Sequence, residues 1–211
     1  MKLYEFGPTR SIRARWILQE LAIDFEAASV DLPARRHRTP EFLELNPAGK
    51  IPVLVDDDLV LSESVAIVLY LAEKYRDRGF IPLDPQLRAD MYRWILFAVT
   101  ELEQPLWRIA KHTTIFPEQD RIPADVALAR REFLPMAAVL ENHMKGRDYV
   151  VGDRLTAADF IIAYTVDWAD VVDLLGECPT LRSYLARMYA RPRAPQRIAE
   201  AFRALRSAAA A

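Results

Sequence analysis

Cysteine is almost missing from this chain of 211 residues, where Cys178 is the single one. That excludes an intrachain disulfide framework, a Cys-x-x-Cys redox pair and a cysteine zinc cluster. An excess of charge of one sign is missing too. Lysine and arginine number 28 against 30 aspartate and glutamate, so no overall field steers the chain to nucleic acid or to a membrane. The three histidines, His37, His112 and His143, show no metal-ligand spacing, and no metal is expected. No uninterrupted apolar run reaches membrane length, and strand-like Met1–Phe6 runs into polar residues instead of the apolar core of a signal peptide. The expected compartment is the cytoplasm. Glycine is scarce: all six (Gly7, Gly49, Gly79, Gly146, Gly152, Gly176) fall between the elements read below. That agreement supports the segmentation.

What is present is an ordinary globular composition, 52% hydrophobic and 27% charged, in a chain long enough for one large domain or two small ones. The stretch Ala48–Tyr75 organises the rest. Two short apolar runs flank the acidic corner Asp56-Asp57-Asp58 and read as a β-hairpin. Val65, Val68, Leu69 and Ala72 then recur at helical spacing. Pro52 interrupts the first run. Proline cannot donate to a sheet ladder, so a trans proline at an edge is one reading. A cis bond is the other, and it would turn the Ile51 backbone outward to meet an extended peptide. Glu63-Ser64 stands at the helix start, where free N–H groups attract anions. The same Ser-x-Ser also reads as a simple cap.

In order, Lys2–Phe6 is a strand, Ser11–Leu21 a helix and Asp24–Val30 a second strand, a β–α–β unit with room for a parallel crossover. A basic loop (Arg35, Arg36, His37, Arg38) and a helical turn over Pro40–Leu45 lead into the hairpin and its helix. The first domain is therefore residues 1–79, a small α/β layer. Residues 80–84 form a linker, in a stretch Phe80–Pro85 with two prolines and no period, and residues 85–211 read as all-helical. The helices are Gln86–His112, with a kink expected at Pro105, then Pro123–Lys145, Thr156–Val171, Thr180–Ala190 and Ala194–Arg206, followed by an Ala-rich end expected to fray. Thr156-Ala157-Ala158-Asp159 is a capping box and its role is structural. Arg182, Arg187, Arg191, Arg193 and Arg197 read as solvated helix faces balanced by acids elsewhere.

Three motifs together carry a resemblance. They are Asn46-Pro47-x-Gly49-Lys50-Ile51-Pro52-Val53-Leu54, Leu61-x-Glu63-Ser64-x-Ala66-Ile67, and Gly152-Asp153-x-x-Thr156-Ala157-Ala158-Asp159-Phe160. Their order and spacing resemble the glutathione transferases, nearest to bacterial members related to the theta, delta and zeta classes. The resemblance implies an α/β thioredoxin-like N-terminal domain plus an all-α C-terminal helical domain, usually as a homodimer. It implies glutathione as co-substrate and attack of its thiol on a small hydrophobic electrophile. The family's cis-proline matches Pro52, and the backbone that pairs with the cysteinyl moiety matches Ile51. Glu63 and Ser64 match the γ-glutamyl site, and Lys50, ahead of His37, matches the glycyl carboxylate site. Phe6 falls where some classes carry tyrosine, and there is no cysteine nearby. Aligning Arg13 with the arginine of the serine-type classes puts Thr9 at the catalytic hydroxyl, with Ser11 as the alternative and Arg10 as a charge assistant. Ser11 also has a purely structural reading as the cap of the first helix. The electrophile pocket is expected between the domains, with Trp107, Arg108, His112 and Phe116 as candidates that equally read as packing residues. A non-catalytic binding module and a zeta-like isomerase remain open, the latter weakened by the absence of a Ser-Ser-Cys triplet.

Overall fold

The computed structural model describes residues 1–209. It divides into two compact units. The first comprises Met1–Ile81 together with the segment from Tyr189 onward, and the second is Pro82–Met188. The tail thus belongs with the α/β layer, where the sequence alone groups it with the helices.

In the first unit, β1 (Lys2–Glu5), α1 (Ser11–Leu21), β2 (Glu26–Ser29), α2 (Pro40–Leu45), β3 (Val53–Asp56), β4 (Leu59–Ser62) and α3 (Ser64–Lys74) follow in order. The four strands lie in the order β2-β1-β3-β4. β1 runs parallel to β2 and antiparallel to β3, which is antiparallel to β4. The crossover through α1 buries Trp16, Ile17, Leu18 and Leu21, and α3 buries Ile67, Val68 and Leu71. The hairpin turns at Asp57, whose φ of 53° lies in the left-handed region that aspartate tolerates better than branched residues do.

The segment after α8 (Pro179–Tyr189) is tied back to α1. Arg191 donates from Nε and Nη2 to the two carboxylate oxygens of Glu20, at 2.7 and 2.9 Å. The Arg193 guanidinium donates to the Glu20 carbonyl at 3.1 Å. Arg191 is therefore a part-buried anchor and not the solvated face its spacing suggests, whereas Arg193 stays exposed while making its bond. The final helix α9 (Ile198–Ala209) then passes over the β1–α1 loop. A Cβ added at Gly7 would stand 3.8 Å from Leu205 Cδ1 and 3.9 Å from Ala201 Cβ. The fraying expected at the Ala-rich end concerns Ala210 and Ala211, which lie outside the described residues.

In the second unit, α4 (Pro85–Phe97) is capped by Asp84, whose carboxylate accepts from Gln86 N at 2.9 Å. A π-helical turn over Ala98–Leu102 joins it to α5 (Glu103–Ala110), and a second over Lys111–Ile115 ends the run. Pro105 has no N–H for the Glu101 carbonyl, and the irregularity expected there takes the form of the wider turn just before it. α6 (Pro123–Met144) and α7 (Ala157–Val171) follow, and α7 is buried on nearly every side. Asp159 is fully buried at its start and accepts from Thr156 N and Val150 N, both at 2.9 Å, and from the Tyr184 hydroxyl at 3.0 Å. Glu141 on α6 accepts from the N–H groups of Thr180 and Leu181, each at 2.9 Å, and so caps α8 from across the unit.

Candidate functional site

Strand register brings three chain segments to one end of the sheet. Tyr4 pairs with Val53, and Val53 pairs with Ser62. The β1–α1 loop after Glu5, the Ile51-Pro52 step before β3 and the Glu63-Ser64 start of α3 therefore share that end. The Ile51–Pro52 peptide bond is cis. The β3 ladder begins at Val53, so the Ile51 N–H and C=O lie outside the sheet's pairing. The Ile51 side chain packs against the cluster of Val30, Phe42 and Val53, which fixes the residue while its backbone stays outside the ladder.

Glu63 is the N-cap of α3 and has φ 69° and ψ 113°, a backbone conformation that costs a non-glycine residue about 1–3 kcal/mol. Its side chain makes no capping bond, so the first N–H groups of α3 face outward without one. Ser64 follows as the first helical residue and is buried. Its Oγ accepts from Arg13 Nη1 at 3.3 Å. Arg13 lies on α1 with 1% of its surface exposed.

Thr9 Oγ1 stands 2.7 Å from the Phe6 carbonyl and 2.9 Å from Ser11 Oγ, and accepts from Ser11 N at 3.2 Å. A carbonyl can only accept, so the Thr9 proton goes to Phe6 O, and the Ser11 hydroxyl supplies the proton between the two side chains. Ser11 Oγ in turn accepts from Phe6 N at 3.4 Å. Ser11 is therefore not the cap of α1. It is the first helical residue, Arg10 is the N-cap without a side-chain capping bond, and the capping oxygen is that of Thr9. Ser11 is 1% exposed, whereas Thr9 and Arg10 are half-buried.

The basic loop closes on the same region. Asn46 Nδ2 donates to the Lys50 carbonyl at 2.7 Å, which shapes the turn before Ile51 and leaves the Lys50 side chain exposed. Gly49 has φ 59°, and a Cβ there would stand 2.8 Å from Arg38 Nη1 and 3.0 Å from the His37 carbonyl. Only glycine lets the loop approach so closely. Burial, with the charges of Arg38 and Arg35, pushes the His37 imidazole down from its ordinary value, so it is neutral near pH 7. Its Nδ1 is buried and has no hydrogen-bond partner among the described residues.

The four residues expected at an electrophile pocket separate into two kinds. The Arg108 guanidinium is held by Asp125 and Glu132, which ties α5 to α6. His112 Nδ1 accepts from Ile122 N at 3.2 Å, and its Nε2 lies 3.4 Å from Asp125. Arg108 and His112 thus hold helices together, a role the sequence does not signal because their acids lie on the next helix. Trp107 stands edge-on to Trp168, with ring centroids 6.4 Å apart, and Phe116 edge-on to His112 at 5.2 Å. Arg13 escapes a reading of the sequence as a site residue, since its partner Ser64 is 51 positions away.

Residues 1–73 match the family model described as glutathione S-transferase, N-terminal domain, and residues 119–187 match glutathione S-transferase, C-terminal domain. Glutathione S-transferase 1 of Dianthus caryophyllus is 37% identical over 168 residues, covering 77% of this chain and 74% of that one. A glutathione S-transferase of Xanthomonas campestris is 31% identical over 193 residues, with 90% and 93% covered. Among solved structures, the glutathione transferase URE2P8 from Phanerochaete chrysosporium with oxidized glutathione aligns at a TM-score of 0.82 with 26% identity, over 100% of this chain and 96% of that one. With both family models matched in order and relatives similar across most of its length, this chain belongs to the glutathione S-transferase family.

Proposed function

We propose that this protein is a glutathione transferase that ionises the glutathione thiol beside Thr9 and directs it at a small hydrophobic electrophile. The observation that carries this reading is the convergence at one sheet end of an unpaired Ile51 backbone, an open α3 start at Glu63-Ser64 and the Thr9 hydroxyl. Under this reading the cysteinyl backbone pairs with Ile51, and the γ-glutamyl end lies at Glu63 and Ser64. The glycyl carboxylate is met by Lys50 and by the neutral His37, whose ring N–H can donate. Domains 1–79 and 85–211 then divide the labour, with the tail returned to the first.

A free thiol has a pKa of about 8.5, so only a few per cent is thiolate at neutral pH. The start of α1, the Arg10 charge and a hydroxyl donor all favour the anion. Accessibility favours Thr9 over Ser11 as that donor. On binding, the Thr9 proton leaves the Phe6 carbonyl for the sulfur, because a charged acceptor makes the stronger bond. The thiol proton leaves to water, and the thiolate forms a C–S bond with the electrophile. A halide then departs, or an activated alkene takes a proton from water. Of the residues that the resemblance puts at the electrophile pocket, Arg108 and His112 are already engaged by Asp125. The assembly proposed is a cytoplasmic homodimer. No helix among the described residues is long and apolar enough to cross a membrane.

A second reading, a glutathione-binding module without conjugating activity, is favoured by one observation. The Thr9 proton is already given to Phe6 O across 2.7 Å. The deciding experiment measures glutathione affinity alongside turnover on aryl halides, hydroperoxides, isothiocyanates and maleyl-type acids. Tight binding with conjugation supports the enzyme, tight binding without any turnover supports the module, and absence of binding overturns both.

A further inference from the structure

From the Arg13–Ser64 contact we infer that Arg13 is a positioning residue that turns the Ser64 hydroxyl into a directed donor for a carboxylate. This rests on the reading of Ser64 as a glutathione-binding residue. Arg13 projects from the second position after Ser11 on α1, and its Nη1 donates to Ser64 Oγ at 3.3 Å. Guanidinium has no acceptor, so the direction of this bond is fixed. Ser64 Oγ is thereby committed as acceptor to a cation, and among the described residues its own proton has no partner. That proton is left for a group arriving at the open start of α3.

A hydroxyl polarised by a cation on its oxygen is a stronger donor than an isolated one. The chain of donors runs from guanidinium to hydroxyl to ligand, and each step favours an anion at its end. The first amides of α3 point the same way. The chemical class selected is a carboxylate, here the α-carboxylate of the γ-glutamyl group. Arg13 has 1% of its surface exposed and Ser64 4%, so the charge acts through the hydroxyl and not by direct contact. The same helix begins at Ser11, directly after the Thr9 loop, so the thiol-side hydroxyl stands just before the element that carries the carboxylate-side relay.

The test compares glutathione with its analogue γ-aminobutyryl-Cys-Gly, which lacks only that carboxylate. Dissociation constants for both are measured in wild type, Ser64→Ala, Arg13→Met, Arg13→Lys and the double variant Arg13→Met/Ser64→Ala. Wild type should prefer glutathione by roughly tenfold or more. Ser64→Ala and Arg13→Met should each cut the preference several-fold, leaving what the α3 amides supply, the double variant should lose no more than Ser64→Ala alone, and Arg13→Lys should restore part of it. A purely structural role for Arg13 would weaken both ligands equally and leave their ratio intact, and that result overturns the inference. If Ser64→Ala itself keeps the ratio, the assignment of Ser64 is wrong and the relay falls with it. Should Arg13→Met fail to fold, ¹⁵N resonances of the Arg13 guanidinium in wild type decide the matter. They should move on saturation with glutathione and stay with the analogue, and equal movement with both overturns the relay.

Discussion

The Thr9 hydroxyl lies 2.7 Å from the carbonyl oxygen of Phe6, three residues before it. Its proton is therefore held in the resting protein and must change partners to serve a thiolate. On the proposed function, Thr9→Ala should keep glutathione affinity within a few-fold, since that reading leaves the peptide to Ile51, Glu63 and Ser64. It should raise the pH at which bound thiolate appears in ultraviolet absorbance by about one to two pH units and cut turnover at pH 7 correspondingly. Thr9→Ser should preserve most of the activity. Ser11→Ala should cost stability on the order of 1 kcal/mol in urea unfolding, through its bonds to Phe6 N and Thr9, while leaving thiolate formation in place. Loss of thiolate in Ser11→Ala with Thr9→Ala silent would move the role to Ser11.

Burial pushes the Asp159 carboxyl up to about 6, against the pull of the bonds from Val150, Thr156 and Tyr184. The native value lies above the ordinary 3.8, so the folded state binds the proton more tightly than the unfolded one. This group's favourable contribution is whole below about pH 4 and is lost as pH rises through 6. Between pH 4 and pH 7, the stability of Asp159→Asn relative to wild type should improve by on the order of 3 kcal/mol in chemical denaturation. A gap that does not change with pH would refute the assignment.

Glu141 has the opposite sign. Burial opposes its ionisation, but the bonds from Thr180 and Leu181 prevail and hold the carboxyl below its ordinary 4.5. Its contribution is present above pH 4.5 and fades as pH falls through the lower native value. Glu141→Gln should cost about 1–3 kcal/mol at pH 7, with a smaller cost near pH 4, by the same denaturation series.

Sedimentation at micromolar concentration should give roughly twice the chain mass. Val65 to Val68 are consecutive apolar residues on α3, of which Ile67 and Val68 are buried while Val65 and Ala66 are only half-buried. Tyr92 and Leu96 on α4 are 39% and 59% exposed. A monomer at that concentration would rule the homodimer out.

Features set by neighbours in sequence were legible before the structure. The hairpin about Asp57, the helix starts at Ser11 and Ser64, and the Thr156-Asp159 cap depend on local propensity and spacing. Pro52 could be marked as unusual because a ladder proline is anomalous whatever its isomer. What escaped depends on distant partners. Arg13 meets Ser64, Arg191 meets Glu20, and Arg108 meets Asp125, each between separate helices or across separate segments. Periodicity carries no record of such pairings, and it does not distinguish a π-helical turn at Ala98–Leu102 from a continuing α-helix.

The bond from Arg191 to Glu20 joins positions 171 apart, and α9 beyond it covers the loop at Gly7. During translation, at about 5–20 residues per second, the β1–α1 loop emerges roughly ten to forty seconds before the helix that packs on it. The sheet of the first unit can pair in that interval, since all four strands precede residue 63. The β1–α1 loop would reach its final surroundings only later, once the segment from Tyr189 onward has been made. A nick between residues 190 and 197 would then spare every strand, the Ile51–Pro52 step and the start of α3, yet release the cover from the loop that holds Thr9.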